Sequence, residues 1–291
     1  RGSGKKVKSP AHYRLLVTHV QDRFGLSQRR ACRALGVGRS TIRYVPTQAD
    51  RDRELVKELC RLSEAHPRWG YRKIGALLRR EGWEVNLKRV HRLWRLHGLQ
   101  VPRRARRVRK VGPRKPVTRA EYRNHVWSVD FVFDQTMDGR TLKCLTVVDE
   151  FTREGLLIGV DRRLGARAVR DALQQLFARH GPPKFVRSDN GGEFLADVVA
   201  EALAEVGADG LFIEPGSPWQ NGTNERFNGI YREELLDREM FGSLKEAQFL
   251  SQEWLVKYNM VRPHGSLNML TPMEFIERLQ SIDSPKPSPR A

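Results

Sequence analysis

The sequence predicts an all-α front region followed by an α/β domain with a mixed sheet. Apolar residues recur at helical spacing through about the first hundred residues, whereas runs of strand formers begin at Val126 and then alternate with helical patterns. Charge divides the chain at the same place: residues 1–120 hold 33 Lys and Arg against 8 Asp and Glu, and residues 121–291 hold 20 against 26. The front is therefore expected to bind a polyanion, and the back to be a near-neutral globular domain.

Composition narrows the class of protein further. The chain has 291 residues, 39% of them hydrophobic, which is enough for an ordinary core and for two domains. Its cysteines, Cys32, Cys60 and Cys144, are odd in number and lack metal-binding spacing, which is typical of reduced thiols in a cytosolic protein. No apolar run approaches the roughly 18 residues of a membrane span. Because the chain begins with Arg-Gly-Ser-Gly rather than Met, we expect a cut N-terminus.

Residues 1–46 have the pattern of a helix-turn-helix. One helical pattern covers residues 12–24, Ser27 can cap a second, and Gly36-Val37-Gly38 turns the chain into a third. The third helix would enter the major groove of DNA. A plain three-helix bundle with a solvated basic face is the alternative. The candidate DNA contacts on the third helix are Arg39, Ser40, Thr41 and Arg43.

Residues 47–102 predict a second helical DNA-binding module. Its first helix covers residues 51–65. HPRWGYRKI leads into a second helix, which ends at Gly82. A third helix is capped by Asn86 and stopped by Gly98. Basic side chains lie on faces away from the apolar stripes, so the two modules together could recognise one long DNA site. The candidate contacts are Arg72, Lys73, Lys88, Arg89 and Arg92.

Residues 103–122 form a basic linker. Its first seventeen residues contain nine basic residues, two prolines and no acid, which favours an extended chain. Such an arm can follow phosphates or enter a minor groove, and a solvated tether is the alternative. Its candidate DNA contacts are Arg103, Arg104, Arg106 and Arg107.

Residues 123–240 predict the α/β domain, and residues 241–291 predict a helical extension that includes capping boxes at Ser243 and Thr271. The element order is βββαβαβα, in which the first three strands form an antiparallel meander. This is the order of the ribonuclease-H-like fold, a mixed five-stranded sheet with helices on both faces. Strands are predicted at 126–133, 141–148, 156–160, 184–189 and 211–213, and helices at 165–180, 198–206 and from about 225 onward.

Three acids occupy positions that suggest catalysis. Asp130 interrupts a run of strand formers, and Asp189 ends a strand before turn residues. Glu225 begins a helix whose buried stripe starts at Phe227, and it points about 200° away from that residue. Carboxylates on rigid elements of so basic a chain suggest a two-metal site for cutting or joining phosphodiesters. Asp134 and Asp149 are rival carboxylates, of which Asp149 is better explained by a turn, and His264 is better explained as a packed structural residue.

These residues resemble a known family. Residues 126–280 look like the catalytic domain of DDE transposases and retroviral integrases. The stretches HPRWGYRKI, WLVKYNMVRPH and TPMEF more closely resemble bacterial insertion-sequence transposases made by frameshift fusion of two reading frames. Asp130 in WSVDF, Asp189 in RSDNGGEF and Glu225 in PWQNGTNERFNG fall on the family's three acids, with its usual thirty-five residues between the last two. Arg232 matches the family's basic residue. The sequence departs from the family in showing neither an integrase zinc module nor the upstream reading frame, so we expect a downstream product or a trimmed chain.

The resemblance implies a Mg²⁺-dependent transposase, in which Mn²⁺ could substitute. Asp130 would bridge two ions, and Asp189 and Glu225 would each complete one of them. Water would first free a 3′-OH, which would then attack a second strand. Expected partners are double-stranded DNA at the element ends and the target, further copies of the chain on DNA, and an upstream-frame protein, in a bacterial cytoplasm at the nucleoid. Trp219, Gln220 and Asn221 would contact the DNA end and Arg232 a phosphate. The alternatives are a structure-selective nuclease and a helix-turn-helix repressor with an inactive domain.

Overall fold

The computed structural model describes residues 10–43, 48–102, 118–213 and 221–283. The chain divides into two compact units, Arg1–Cys60 and Arg61–Ala291. In the first unit three helices pack around a small core of Val17, Ala31 and Cys32. They are α1 (Pro10–Phe24), α2 (Gln28–Ala34) and α3 (Arg39–Arg43), and α4 (Gln48–Ala65) contributes residues to both units.

The second unit is built on a mixed five-stranded sheet with the order β3-β2-β1-β4-β5. The first three strands form the predicted antiparallel meander, while β4 pairs parallel with β1, and β5 parallel with β4. The predicted fold class is therefore confirmed. The strands are β1 (Val126–Gln135), β2 (Thr141–Asp149), β3 (Gly155–Asp161), β4 (Phe185–Ser188) and β5 (Asp209–Phe212).

Helices cover both faces of the sheet. Side chains alternate along β1, so Trp127 and Val129 join the core on one face, whereas Val132 joins the core on the other. α7 (Ala166–His180) and α8 (Asp197–Glu205) pack on the first face. The second face holds α9 (Gly222–Tyr231), its π-helical continuation Arg232–Leu236 and α10 (Leu244–Met260), and the chain then reaches α11 (Pro272–Asp283). Asp130 therefore lies on the α9 face.

α5 (Tyr71–Arg80) and α6 (Leu87–Leu96) belong to the same compact unit as the sheet. Arg80 donates to the carbonyls of Val261 and Met269, each at 3.0 Å, and pairs with Glu274. The Trp69 indole donates to Glu234 Oε1 at 3.0 Å. These bonds attach the second helical module to the helices that follow the sheet. The boundaries of the five predicted segments remain a prediction.

The predicted helix caps at Asn86 and Thr271 are formed, whereas Ser27 stands at the N-cap position of α2 but its side chain forms no cap bond. Asn86 accepts from the Lys88 amide at 2.9 Å, and Thr271 and Glu274 exchange both bonds of a capping box, at 3.1 and 2.7 Å. In the described ranges, no helix combines the length and apolarity that crossing a bilayer needs.

Candidate active site

Asp130 is half-buried in the middle of β1, and two donors fix its carboxylate. The Phe131 amide donates to Oδ1 at 2.8 Å and the Asn228 side-chain amide donates to Oδ2 at 2.9 Å. Burial raises the pKa of Asp130 to about 6; these two bonds lower it, while the charges of Asp189 and Glu225 raise it. Asp189 and Glu225 are therefore near enough to Asp130 for their charges to act on its carboxyl group.

Asn228 is a site residue that the sequence reasoning missed. Besides its bond to Asp130, its Oδ1 accepts from the Thr146 hydroxyl at 2.9 Å. Thr146 is the cross-strand partner of Asp130, and its hydroxyl oxygen also lies 3.2 Å from the Asp130 carbonyl oxygen. Asn228 lies three residues after Glu225, which puts both side chains on one face of α9. This three-residue spacing from Glu225 is the sequence feature that could have identified Asn228.

Glu225 and Asp130 line one open cleft of about 510 Å³ between β1 and α9. Glu225 is exposed, because the stripe from Phe227 to Tyr231 is turned into the core, as predicted. Arg232 also lines this cleft and donates to the Phe133 carbonyl at 2.7 Å; it lies 3.9 Å from Asp237. A guanidinium beside two carboxylates is a suitable arrangement for a metal-bound phosphate.

Asp189 follows the last residue of β4 and is exposed. Ser128 on β1 pairs with Arg187 on β4, so continuing this parallel register by two residues puts Asp189 level with Asp130. Its Oδ1 accepts from the Gly191 amide at 3.0 Å. The loop that follows Asp189 is held by Lys143, whose Nζ lies 2.5 Å from Glu193 Oε1.

The three carboxylates are hard oxygen ligands, the type that Mg²⁺ prefers. In this conformation no three His, Cys, Asp or Glu side chains of the described ranges are grouped at metal-binding distances. Asp130 and Glu225 share the cleft, whereas the Asp189 carboxylate is bonded to its own loop. The donor chemistry fits a divalent cation, and Asp189 would have to turn toward the cleft to complete the set.

The rival residues have structural roles. Asp149 is buried, and its Oδ1 accepts from the amides of Phe151 and Thr152 at 3.0 and 2.7 Å, which is a turn role. Asp134 Oδ1 accepts a hydrogen bond from the backbone amide of Gln135, the next residue of β1, at 2.8 Å. His264 is buried edge-on against Tyr258, and burial followed by the charge of Arg262 lowers its pKa to about 3.

The candidate DNA contacts are spread over several surfaces. On α3, Arg39 and Ser40 are exposed and Thr41 is half-buried, while Arg43 donates to Gln28 at 3.1 Å. Arg232 lines the cleft that contains Asp130 and Glu225, which we name the acidic cleft, and does not lie on a helix-turn-helix. On α5 and α6 the exposed candidates are Arg72, Lys88 and Arg92, and the half-buried ones are Lys73 and Arg89.

The remaining candidates flank α9 or lie in the linker. Asn221 is buried, and its Oδ1 has no hydrogen-bond partner within the part of the chain that the structure describes. The other predicted contacts lie outside the described residues: Arg103, Arg104, Arg106, Arg107, Trp219 and Gln220.

Comparison with known proteins identifies the family. Residues 120–218 and 207–272 match models of the integrase core domain, and residues 47–107 match an HTH-like domain. The chain is 37% identical to the insertion element IS476 39.2 kDa protein of Xanthomonas euvesicatoria, over 93% of this chain and 78% of that protein. It is 38% identical to the insertion element IS407 31.7 kDa protein of Burkholderia multivorans, over 88% and 92%. The transposase of insertion sequence element IS629 from Shigella sonnei is 29% identical, over 78% and 80%. The chain therefore belongs to the insertion-sequence transposases that carry an HTH-like DNA-binding domain and an integrase core domain.

Proposed function

We propose that this transposase binds the terminal inverted repeats of its own element and joins the element's 3′ ends to target DNA. Asp130, Asp189 and Glu225 form its catalytic triad. The observation that carries the proposal is the shared cleft of Asp130, Glu225 and Arg232, with Asp189 level with Asp130 across the β1–β4 pair. Asp130 and Glu225, which are distant in sequence, share the cleft, and Asp189 would complete the set by turning toward it.

The three carboxylates would hold two Mg²⁺ ions, which Mn²⁺ could replace. Bound divalent ions would activate the attacking oxygen, stabilise the leaving oxygen and offset the charge of the phosphate. The chain itself fixes the orientation of Asp130 through Asn228 and presents the Arg232 guanidinium beside the carboxylates. No side-chain nucleophile is required: water would attack first to free a 3′-OH, and that hydroxyl would then attack a second strand.

Double-stranded DNA would be held by the basic front of the chain. The HTH-like domain supports contact with element ends, through the exposed Arg72, Lys88 and Arg92, and the basic linker would follow the phosphates. Joining two ends to one target requires an active site for each, so further copies of the chain would assemble on DNA. A protein from the upstream reading frame is a further proposed partner.

Asp189→Asn tests the triad. The variant should lose cleavage and strand joining, because an amide is a poor ligand for Mg²⁺, while its affinity for end DNA stays unchanged. Asp134→Asn is the matched control, since Asp134 projects from β1 on the same face as Asp130 but outside the cleft lining. Cleavage by Asp189→Asn at the wild-type rate would refute the assignment. Cleavage by the wild type without any joining of the 3′-OH end to a second duplex would instead indicate a nuclease.

A further inference from the structure

A second cavity, of about 420 Å³, lies on the neighbouring side of α9 from the acidic cleft. Arg226 faces this cavity and is about 100° around the helix from Glu225. Four cationic side chains line the cavity, and its lining contains no Asp or Glu among the described residues. We name it the basic cavity. Its cations are Lys73 from α5, Arg153 from the turn before β3, Arg226 from α9 and Arg262 from the segment after α10.

Two carboxylates outside the lining, Glu234 and Glu233, offset part of this charge. Glu234 accepts from Arg262 Nε at 3.0 Å and lies 3.8 Å from Lys73 Nζ. Burial, followed by the charge of Arg262, lowers the pKa of Lys73 to about 7 despite Glu234. The four cations of the cavity therefore outnumber the two carboxylates that act on Lys73, and a bound anion would stabilise them.

Donors for such an anion are already in place. The Arg153 guanidinium is oriented by a 2.6 Å bond to the Thr223 hydroxyl. Arg226 is exposed on the cavity lining. Gly222 and Thr223, which also line the cavity, are the first residues of α9, where backbone N–H groups have no partner within the helix and the helix dipole favours negative charge.

We propose that the basic cavity binds a backbone phosphate of the DNA that is seated in the acidic cleft. The inference rests on the proposed function, because it takes DNA as the substrate. Guanidinium groups match phosphate oxygens with paired hydrogen bonds. A helix is about 10–12 Å across and a duplex strand carries a phosphate about every 3.4 Å along its axis, so DNA at Glu225 brings further phosphates to Arg226. Because Lys73 belongs to the HTH-like domain, a phosphate held here would bridge that domain and the Glu225 helix.

Salt-dependent DNA binding tests this proposal. The affinity for a fluorescently labelled duplex is measured by anisotropy at several salt concentrations in EDTA, so that no cleavage takes place. Arg226→Gln should flatten the plot of log Kd against log salt concentration by about 0.9, the value for one lost phosphate contact. Arg167→Gln is the matched control, because Arg167 is an exposed arginine on α7, on the other face of the sheet. Equal slopes for the two variants would overturn the proposal.

A second variant adds charge to the cavity without removing packing. Ser266 is exposed on the lining, and Ser266→Glu should weaken binding and flatten the slope as Arg226→Gln does. Wild-type binding by this variant would count against the proposal. These binding measurements involve no cleavage, so they test the basic cavity separately from the triad. Unchanged salt slopes could occur while Asp189→Asn still abolishes cleavage, and flattened slopes could occur even if the triad is wrong.

An acidic protein is the other class of partner with suitable charge, and polyglutamate is the probe for it. We expect polyglutamate to compete with DNA equally well for the wild type and for Arg226→Gln. Polyglutamate binding that is lost in Arg226→Gln, together with an unchanged DNA salt slope, would assign the cavity to an acidic protein and overturn the DNA proposal.

Discussion

Replacing Gly155 with alanine should disturb the packing that positions α9, the helix that carries Glu225. Gly155 begins β3, and its N–H and carbonyl are bonded to the Asn259 side chain of α10 at 2.9 and 2.8 Å. A Cβ at this position would lie 2.5 Å from Leu255 Cδ1 and 2.9 Å from Phe227 Cε2. The backbone is therefore fixed at a point where two helices approach closely.

The expected losses of stability and of cleavage rate in Gly155→Ala follow from these distances. Non-bonded carbon atoms rest about 3.5–4.0 Å apart, so Leu255 or the helices must move by roughly 1 Å. Leu255 can turn part of the way, but the Phe227 ring packs edge-on against Trp254 and Tyr258, at centroid distances of 5.5 and 4.8 Å. Overpacking of this kind costs about 1–3 kcal/mol. Phe227 is two residues from Glu225. If Glu225 acts as proposed, a displacement of about 1 Å there would lower the rate about 100-fold.

Urea denaturation measures the stability, and end cleavage measures the rate. Gly159→Ala is the control on the same strand, because a Cβ there would meet its nearest atoms at 3.8 and 3.9 Å, which are ordinary contacts. Gly155→Ala should unfold at lower urea than both the wild type and Gly159→Ala, and it should cleave more slowly. Adding Leu255→Ala should cost less in Gly155→Ala than in the wild type, because it removes the closest clash. A denaturation midpoint for Gly155→Ala equal to that of Gly159→Ala would refute this reasoning.

Two further predictions concern buried charge. Arg187→Met should destabilise the protein by about 3–5 kcal/mol, because it leaves buried Glu150 without the guanidinium that now lies 2.6 Å away. The double variant Glu150→Gln/Arg187→Met should be more stable in urea than Arg187→Met alone, and equal stability of the two would contradict this reasoning. The pKa of His264 is about 3 when folded against a reference value of 6.5, so the unfolded state binds the proton first and stability falls as pH drops from about 6.5 towards 3. His264→Gln should remove about 1.4 kcal/mol per pH unit from this slope, measured by urea unfolding at several pH values, and an unchanged slope would exclude His264 as its source.

Local sequence determined the elements and many of their ends. The periodicity of apolar residues gave the order of strands and helices, and it turned Glu225 away from the buried Phe227 stripe. Asn86 and Thr271 cap helices as expected, because a cap depends only on residues within one turn. The three acids could be proposed because each interrupts or ends a recognisable local pattern.

Only the tertiary structure decided which of these residues meet. Asp130 and Asp189 come level because β4 pairs parallel with β1 across a long stretch of chain, and strand pairing is not encoded in either strand alone. The same packing put Asn228 against Asp130 and separated Lys73 from its neighbour Arg72, drawing Lys73 towards Glu234. The periodicity of a sequence predicts on which face of its own helix or strand a side chain lies. The residue that this side chain contacts depends on sheet order and helix packing, which are set by burial over the whole unit.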